Sequence, residues 1–156
     1  MSTRKRIFSP QGFALMVKRS KTGLGLFTDD VIPKGACIIE YKGRPATKRE
    51  MRDNTGKYLF WVDDTRMING ISRSNTARYI NHACNPNCEI DIQNGKIFIF
   101  SSKKIKKGEE LTFDYGDEYF DMHIAPKGCR CVSCADSTLL ETTKPVDALK
   151  NHDTVH

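Results

Sequence analysis

Three cysteines near the C-terminal end, Cys129, Cys131 and Cys134, stand within six residues of one another. Thiols at this spacing can converge on one ion, and zinc takes four such ligands in a tetrahedron. Other parts of the chain offer three candidates for the fourth ligand: Cys84, Cys88 and His82. Four protein ligands leave no open position for a substrate, so the group predicts a structural metal site. Three unligated thiols on a loop are the alternative, which the ready oxidation of exposed thiols disfavours.

A second candidate site is the segment 78–88, where an arginine, a histidine and three asparagines accompany Tyr79 and Ile80. Polar side chains grouped in this way form either a buried hydrogen-bond network or a ligand site. Composition alone leaves both interpretations open.

A third candidate is the segment 109–116, which reads as the end of a strand. Alternation puts Phe113 and Tyr115 on one face of that strand and Thr112 and Asp114 on the other. Neighbouring aromatic side chains indicate core, but the tyrosine hydroxyl needs a partner when it is buried.

Gly23 and Gly25 form a fourth candidate, separated by one residue. The pair lacks the third glycine of a dinucleotide fingerprint and the lysine–threonine end of a phosphate loop. It fits either a tight turn or a backbone that approaches a ligand closely.

The elements that must position these residues are mostly short strands. Five segments are predicted as strands: 13–17, 37–41, 89–92, 96–100 and 111–113. The best helical segment is 47–54, and 75–80 is predicted as a helical turn. The turn 32–35 is echoed at 105–108, and each leads toward a strand. We therefore expect a mainly β domain with little helix.

Asn94-Gly95 predicts a tight hairpin between two of these strands, because both residues tolerate positive φ. Alternation along the second strand should direct two isoleucines to one face and two phenylalanines to the other. The residues concerned are Ile97 and Ile99, and Phe98 and Phe100. Cys37, inside an apolar run, is predicted to be a buried core thiol.

The bulk composition fits one modest domain, with 156 residues of which 38% are hydrophobic. No stretch approaches the roughly 18 apolar residues of a membrane span, and no apolar signal region follows the basic N-terminus. Grouped cysteines without a secretory signal favour metal over disulfides and hence a reducing compartment. The net charge of +6 fits a nucleic-acid-binding surface or an ordinary solvated one, and solvation accounts for the lysines in 103–107.

Together these motifs resemble the SET-domain lysine methyltransferases over about residues 13–135. The matching segments follow one another in order: 22–25, 39–43, 58–60, 78–88, 110–116 and 129–134. Two of these motifs, found in this order, are together highly specific for the family: Asn81-His82 and the sequence Glu-Leu-Thr-Phe-Asp-Tyr-Gly. The resemblance implies a mainly β, β-clip fold in which the C-terminal segment threads beneath an earlier loop in a knot-like arrangement. This threading would bring Tyr115 against Asn81 and His82.

The resemblance also implies a division of the chain into regions. These are an N-terminal extension (1–12), the SET domain (13–121), a post-SET zinc-binding segment (122–135) and a flexible tail (136–156). The compact form looks like the stand-alone SET proteins of microbes or viruses. Ala83 departs from the more usual serine, and two residues separate Cys131 from Cys134 where many members have four.

S-adenosylmethionine is the implied methyl donor. The residues that the resemblance assigns to it are Thr22, Gly23, Leu24, Tyr58, Arg78, Asn81, His82, Tyr115 and Tyr119. One structural zinc is also implied, with the ligands Cys84, Cys129, Cys131 and Cys134. Cys88 falls at a family position that is usually not a ligand.

The implied activity is methyl transfer to the ε-amino group of a lysine in a protein substrate, such as a histone or histone-like protein. The implied substrate channel is lined by Tyr41, Tyr58, Phe113 and Tyr115, with Tyr115 as the central catalytic residue. Phenylalanine at position 113 leaves room for di- or trimethylation. Positioning of the reactants supplies most of the rate in such a site.

Two other function classes compete with this hypothesis. A zinc-containing nucleic-acid-binding module would fit the charge and the cysteines, but the chain lacks a basic-aromatic stripe. An inactive SET-like scaffold would bind peptides without catalysis, which the presence of Tyr115, Asn81 and His82 disfavours. We expect no membrane association and no required nucleic-acid contact. The cytoplasm or nucleus is the expected location, and a secreted effector acting in a host is the alternative.

Overall fold

Short strands dominate the computed structural model, which describes residues 5–54, 56–116, 124–129 and 131. Its strands are β1 (Leu15–Ser20), β2 (Gly23–Thr28), β3 (Cys37–Tyr41), β4 (Arg44–Pro45), β5 (Leu59–Trp61), β6 (Met67–Asn69), β7 (Asn81–His82), β8 (Cys88–Gln93), β9 (Lys96–Ser101) and β10 (Thr112–Phe113). The helical segments are α1 (Lys48–Asp53) and two 3-10 turns, Thr76–Tyr79 and Ala125–Lys127. The prediction of a mainly β fold with little helix is confirmed.

The strands form small separate sheets. β1 and β2 make an antiparallel hairpin, and two three-stranded sheets have the orders β3-β9-β8 and β4-β6-β5. β7 and β10 pair in parallel. No helix among the described residues is long and apolar enough to cross a bilayer.

The hairpin between β8 and β9 turns at Asn94-Gly95, where φ is +52° and +75°. Alternation along β9 then divides the core, as predicted. Ile97 and Ile99 join the main cluster, whereas Phe98 and Phe100 lie in a second cluster on the opposite face. The sheet β3-β9-β8 is therefore covered on both sides.

The N-terminal segment covers this second cluster. The Phe8 ring packs edge-on against Phe98 and Phe100, with centroids 5.6 and 5.2 Å apart. Cys37, 1% exposed, belongs to the same cluster and is the buried thiol that the sequence predicts. Arg6 lies over the Phe100 ring, with its guanidinium carbon 4.2 Å from the centroid. Arg6 and Phe8 thus pack against the sheet β3-β9-β8.

Helix α1 owes its position to a capping box. The Thr47 hydroxyl accepts from the Glu50 N–H, and the Glu50 carboxylate accepts from the Thr47 N–H. These contacts satisfy two backbone donors at the helix start. Asn54 ends the helix in the left-handed conformation with φ +44°. The helix predicted at 47–54 is confirmed, with its terminal residues acting as caps.

The tight turn of this segment lies immediately before the two glycines rather than at them. Gly23 and Gly25 both lie in β2, where Gly25 pairs with Lys18 of β1. The chain reverses instead at Lys21 and Thr22. A glycine within a strand marks a place where another group approaches the backbone closely, and Glu110 is that group.

The two similar turns lie side by side, joined by an antiparallel bridge between Ile32 and Ile105. Each contains a glycine at positive φ, Gly35 at +83° and Gly108 at +90°. The second turn leads into residues 109–111, which hydrogen-bond to β2. The chain then enters β10 beside β7, and this parallel pair positions the residues with candidate chemistry.

Candidate active site

Tyr115 meets the Asn81-His82 segment although they lie far apart along the chain. The parallel pair aligns Thr112 with Asn81 and Phe113 with His82. Two residues further on, the Tyr115 N–H donates to His82 Nδ1 at 3.1 Å. The Tyr115 hydroxyl donates to the Ile80 carbonyl at 2.6 Å. The juxtaposition that the SET resemblance implies is therefore present.

His82 is held as a neutral imidazole. Burial lowers the pKa of His82, and the nearby Asp114 carboxylate opposes this shift only in part. Because Nδ1 accepts the Tyr115 N–H, the ring proton belongs on Nε2. Nε2 lies 3.4 Å from Cys84 Sγ, so this proton can point at the sulfur. His82 thus links the Tyr115 backbone to the cysteine group.

Four aromatic rings form a continuous row, which we call the aromatic row: Tyr41, Phe60, Phe113 and Tyr115. Successive ring centroids are 4.6, 5.9 and 4.8 Å apart. Three of these rings were predicted to line the site, and the fourth, Phe60, was not. Phe60 joins Tyr41 to Phe113 and so completes the row.

Tyr58 lies beside this row and contacts it through its backbone, since its carbonyl accepts from the Tyr41 hydroxyl at 3.1 Å. Arg78 Nη2 donates to the Tyr58 hydroxyl at 3.2 Å, and the guanidinium carbon stands 4.6 Å from the Tyr58 ring centroid. Arg78 Nη1 donates to the Ile71 carbonyl. Arg78 Nε is buried without a hydrogen-bond partner among the described residues. The guanidinium therefore faces Tyr58 rather than Asn81.

Asn81 faces the β1–β2 hairpin. Its amide nitrogen lies 2.9 Å from the Leu24 carbonyl, 3.3 Å from Ser20 Oγ and 2.8 Å from Glu110 Oε1. A narrow recess adjoins it, lined by Lys21, Thr22, Asn81, His82, Glu110, Thr112 and Cys131. Gly23 and Leu24, both exposed, lie beside it on β2. The structure thus brings together five predicted cofactor residues: Thr22, Gly23, Leu24, Asn81 and His82.

This surface fits the amino-acid end of S-adenosylmethionine in chemical type. The Asn81 amide oxygen has no hydrogen-bond partner among the described residues and could accept from an ammonium group. The Leu24 side chain is 52% exposed and offers apolar area next to it. Tyr119, the remaining predicted contact, lies outside the described residues.

Asn87, another asparagine of the segment, has a structural role. Asn87 Oδ1 accepts from the Thr112 N–H at 2.9 Å, and Asn87 Nδ2 donates to the Glu110 carbonyl at 2.9 Å. Asn87 therefore holds the approach to β10 in place. The buried-network interpretation of the segment 78–88 is correct for Asn87, and the ligand-site interpretation stays a prediction for Asn81.

The described cysteines converge as a metal site requires. Cys84 Sγ and Cys129 Sγ are 3.8 Å apart, and Cys131 Sγ accepts from the Cys84 N–H at 3.4 Å. A tetrahedral site with zinc–sulfur bonds of about 2.3 Å has sulfur–sulfur edges of about 3.8 Å. The cluster thus fits zinc by donor type and spacing. Cys134, the fourth implied ligand, lies outside the described residues.

Of the three candidates for the fourth ligand, Cys88 is excluded from this cluster. Its Sγ lies 3.3 Å from Asn87 Oδ1, and burial raises the pKa of the Cys88 thiol to about 12. Metal binding needs the thiolate, which this environment opposes. Cys84 lies within the cluster, and the ligand atoms of His82, Cys84 and Cys129 stand within 4.8 Å of one another.

Comparison with known proteins agrees with this geometry. A family model described as SET domain matches residues 23–116. The histone-lysine N-methyltransferase trr of Drosophila melanogaster is 38% identical over 74% of the chain. Histone-lysine N-methyltransferase 2D of Homo sapiens is 37% identical over 72%, and ASHH3 of Arabidopsis thaliana, also named a histone-lysine N-methyltransferase, is 35% identical over 74%.

The chain spans 5%, 2% and 36% of the lengths of these three relatives, so the likeness concerns one region of each. In this chain the family match takes in β2, the aromatic row and the β7–β10 pair. The family match covers more than half of this chain, and it ends at Gly116, immediately after Tyr115. On this evidence the chain belongs to the SET-domain family.

Proposed function

We propose that this chain is a protein-lysine N-methyltransferase that uses S-adenosylmethionine. The observation that carries the proposal is the parallel pairing of β7 with β10, which puts Tyr115 against His82 and Ile80. Membership of the SET-domain family and relatives named histone-lysine N-methyltransferases support it. The proposed substrate is a lysine side chain of a histone or a similar protein.

The methyl donor is assigned to the surface formed by the β1–β2 hairpin and β7. Thr22, Gly23 and Leu24 offer backbone groups, and Asn81 offers its amide oxygen. S-adenosylmethionine, when bound, supplies a methyl group that is already electrophilic on a sulfonium. Tyr58 and Arg78 contact each other, so we assign them to one wall of the same site. Tyr119 is assigned by resemblance alone.

Tyr115 is proposed to act through its hydroxyl oxygen. The hydroxyl donates to the Ile80 carbonyl, and its oxygen is proposed to contact hydrogens of the amine or of the methyl group. Such C–H···O contacts are weak individually but orient the groups that react. The two hydrogen bonds of Tyr115 fix both its backbone and its side chain, which supplies the positioning that methyl transfer requires.

The aromatic row is proposed to form the wall of a lysine channel. Apolar walls disfavour an ammonium ion, and a sulfonium charge nearby disfavours it further. The neutral amine that attacks the methyl group is therefore favoured inside the channel. Phe113 offers no hydroxyl to restrain the amine, so we propose di- or trimethylation.

Zinc is proposed to hold Cys129 and Cys131 to Cys84, with Cys134 as the fourth ligand. The metal would join the C-terminal segment to the site through His82 and Tyr115. Cysteines that are grouped as a metal site requires support a reducing compartment such as the cytoplasm or nucleus.

The test combines binding with transfer. Calorimetry should show one S-adenosylmethionine bound per chain, and radiolabelled methyl groups should appear on lysine in core histones or in a cell lysate. Mass spectrometry then identifies the lysine and the number of methyl groups. A chain that is folded by circular dichroism but binds no S-adenosylmethionine would refute the proposal. Retention of DNA by such a chain would favour the nucleic-acid-binding alternative.

A further inference from the structure

Glu110 is a carboxylate in the site that the sequence did not single out. Its Oε1 lies 2.8 Å from Asn81 Nδ2, across 29 positions of the chain. Two contacts fix the Glu110 backbone. Its carbonyl accepts from Asn87 Nδ2, and it forms an antiparallel bridge with Phe27 of β2. Residue 110 therefore has a defined place between β2 and β7.

The space for this carboxylate comes from Gly25. A Cβ on Gly25 would collide with the Glu110 carboxylate, and with Ser20 Cβ at 3.1 Å. Gly25 does not adopt the positive φ that favours glycine, unlike Gly23 with φ +117°. Position 25 therefore requires glycine because glycine has no side chain, and not because its backbone is free to adopt positive φ.

The acceptors around Asn81 determine which way its amide points. An ionised carboxylate and a backbone carbonyl can only accept, so the amide nitrogen must face Glu110 and Leu24. The amide oxygen then points away from both. A hydrogen bond to a carboxylate is stronger than one to a neutral acceptor, so Glu110 has the largest effect on the orientation of the Asn81 amide.

We propose that Glu110 is a positioning residue, which fixes the Asn81 amide so that its oxygen is presented to the methyl donor. Gly25 belongs to the same device because it makes room for the carboxylate. This inference rests on the proposed function for the identity of the ligand. The orientation of the amide is a property of the free protein and is tested without the ligand.

The first experiment observes the Asn81 side-chain amide by nuclear magnetic resonance, with the signal assigned by its loss in Asn81→Asp. Glu110→Ala should shift both amide protons and speed their exchange with water. Glu110→Gln should cause a smaller change than Glu110→Ala, because its carbonyl oxygen can still accept although without the charge. Glu109→Ala removes the adjacent carboxylate and serves as the matched control. An unchanged Asn81 signal in folded Glu110→Ala would overturn the inference, whether or not the protein binds S-adenosylmethionine.

The second experiment measures binding and turnover. Glu110→Ala should raise the Kd and KM for S-adenosylmethionine about tenfold, the effect of losing one charge-assisted hydrogen bond. The kcat at saturation and the KM for the lysine substrate should stay within about twofold, which general structural damage would not allow. Glu110→Gln should lose less affinity than Glu110→Ala, because a neutral acceptor still holds the Asn81 amide. Equal losses in both variants would overturn the claim that an acceptor is what matters.

A double-mutant cycle isolates the role of Gly25. Gly25→Ala alone should weaken S-adenosylmethionine binding, because the new methyl displaces the carboxylate. In the Glu110→Ala background the same substitution should reduce the binding free energy by less than half as much, since the carboxylate that the new methyl displaces is absent. Additive effects would show that Gly25 acts independently and would overturn this part of the inference. Absence of binding in the wild type would instead refute the proposed function.

Discussion

At the scale of one residue, removing the Tyr115 hydroxyl tests its chemical role while the ring keeps its place in the structure. Tyr115→Phe keeps the ring in the aromatic row and removes the hydroxyl together with its bond to the Ile80 carbonyl. We expect kcat to fall about 100-fold, as when one preorganised polar group is removed from an active site. Single-turnover methyl transfer measures this. Tyr79→Phe, which removes a hydroxyl outside the row, is the control and should retain activity.

The side chain at position 113 should set the number of methyl groups transferred. Phe113 is 2% exposed and contacts Phe60 and Tyr115. Phe113→Tyr places a hydroxyl in the row, and a buried hydroxyl seeks a partner such as the amine or a water molecule. We expect the product to shift from di- or trimethyllysine to monomethyllysine in mass spectra. Only monomethyl product from the wild type would contradict this.

The sequence predicted site residues that belong to distinctive motifs, and it missed residues whose types are common in a core or on a surface. Tyr41, Phe113 and Tyr115 were predicted for the row, but Phe60 stands between two apolar residues and reads as core. Glu110 follows another glutamate and reads as surface charge. The Arg78 guanidinium lies over the Tyr58 ring, a contact that the sequence did not predict, and its assignment to the cofactor stays a prediction. Only three-dimensional contacts distinguish these roles.

At the scale of elements, helix α1 should respond to acid. Hydrogen bonds from Arg44 and the Thr47 N–H lower the pKa of Glu50 to about 2. An unfolded glutamate titrates near about pH 4.3. The stabilisation is therefore complete above the unfolded pKa and is lost as the pH falls toward 2.

We expect thermal melts between pH 5 and pH 2 to show this loss in the wild type and a smaller one in Glu50→Gln. Thr47→Ala should lower the free energy of unfolding by about 1 kcal/mol at neutral pH, because it removes the hydroxyl of the cap. Identical pH profiles for the wild type and Glu50→Gln would contradict the assignment.

Elements with strong local patterns were predicted, and those defined by their partners were not. The β8–β9 hairpin follows from Asn94-Gly95 and from alternation, both of which are local. Strands β4, β5 and β6 have two or three residues each, too few for a periodic pattern. Strand β7 exists only because β10 lies beside it. The knot-like threading stays a prediction, as do the regions bounded at residues 12, 121 and 135 and the stand-alone organisation.

At the scale of the whole molecule, the N-terminal segment should contribute to stability through packing more than through charge. Phe8→Ala should cost about 2 kcal/mol, since it removes a ring from a buried cluster. Arg6 pairs with Glu89 and Asp91 at exposed positions, and Arg6→Ala should cost about 1 kcal/mol or less. Urea unfolding measures the free energy of unfolding of both variants and shows which substitution costs more. A larger effect of Arg6→Ala would contradict this view of the segment.

Metal removal should affect the site at a distance. A chelator that strips zinc should lower the Tm by more than about 5 °C and weaken S-adenosylmethionine binding, because the cysteines no longer hold the C-terminal segment. Cys84→Ser should do the same, whereas Cys37→Ala should retain one zinc per chain by elemental analysis. Full zinc content in Cys84→Ser would exclude Cys84 as a ligand.

The two-residue pairing of β7 with β10 also has a consequence for biosynthesis. Asn81 and His82 leave the ribosome well before Tyr115, which bonds to His82 from 33 positions later in the chain. Contacts between segments so distant in sequence form slowly, because a long loop must close first. A nascent chain that ends before residue 112 therefore lacks the strand that creates β7, and it is inert however well its N-terminal half has folded. The proposed methyl transfer therefore depends on a pairing that forms late in synthesis.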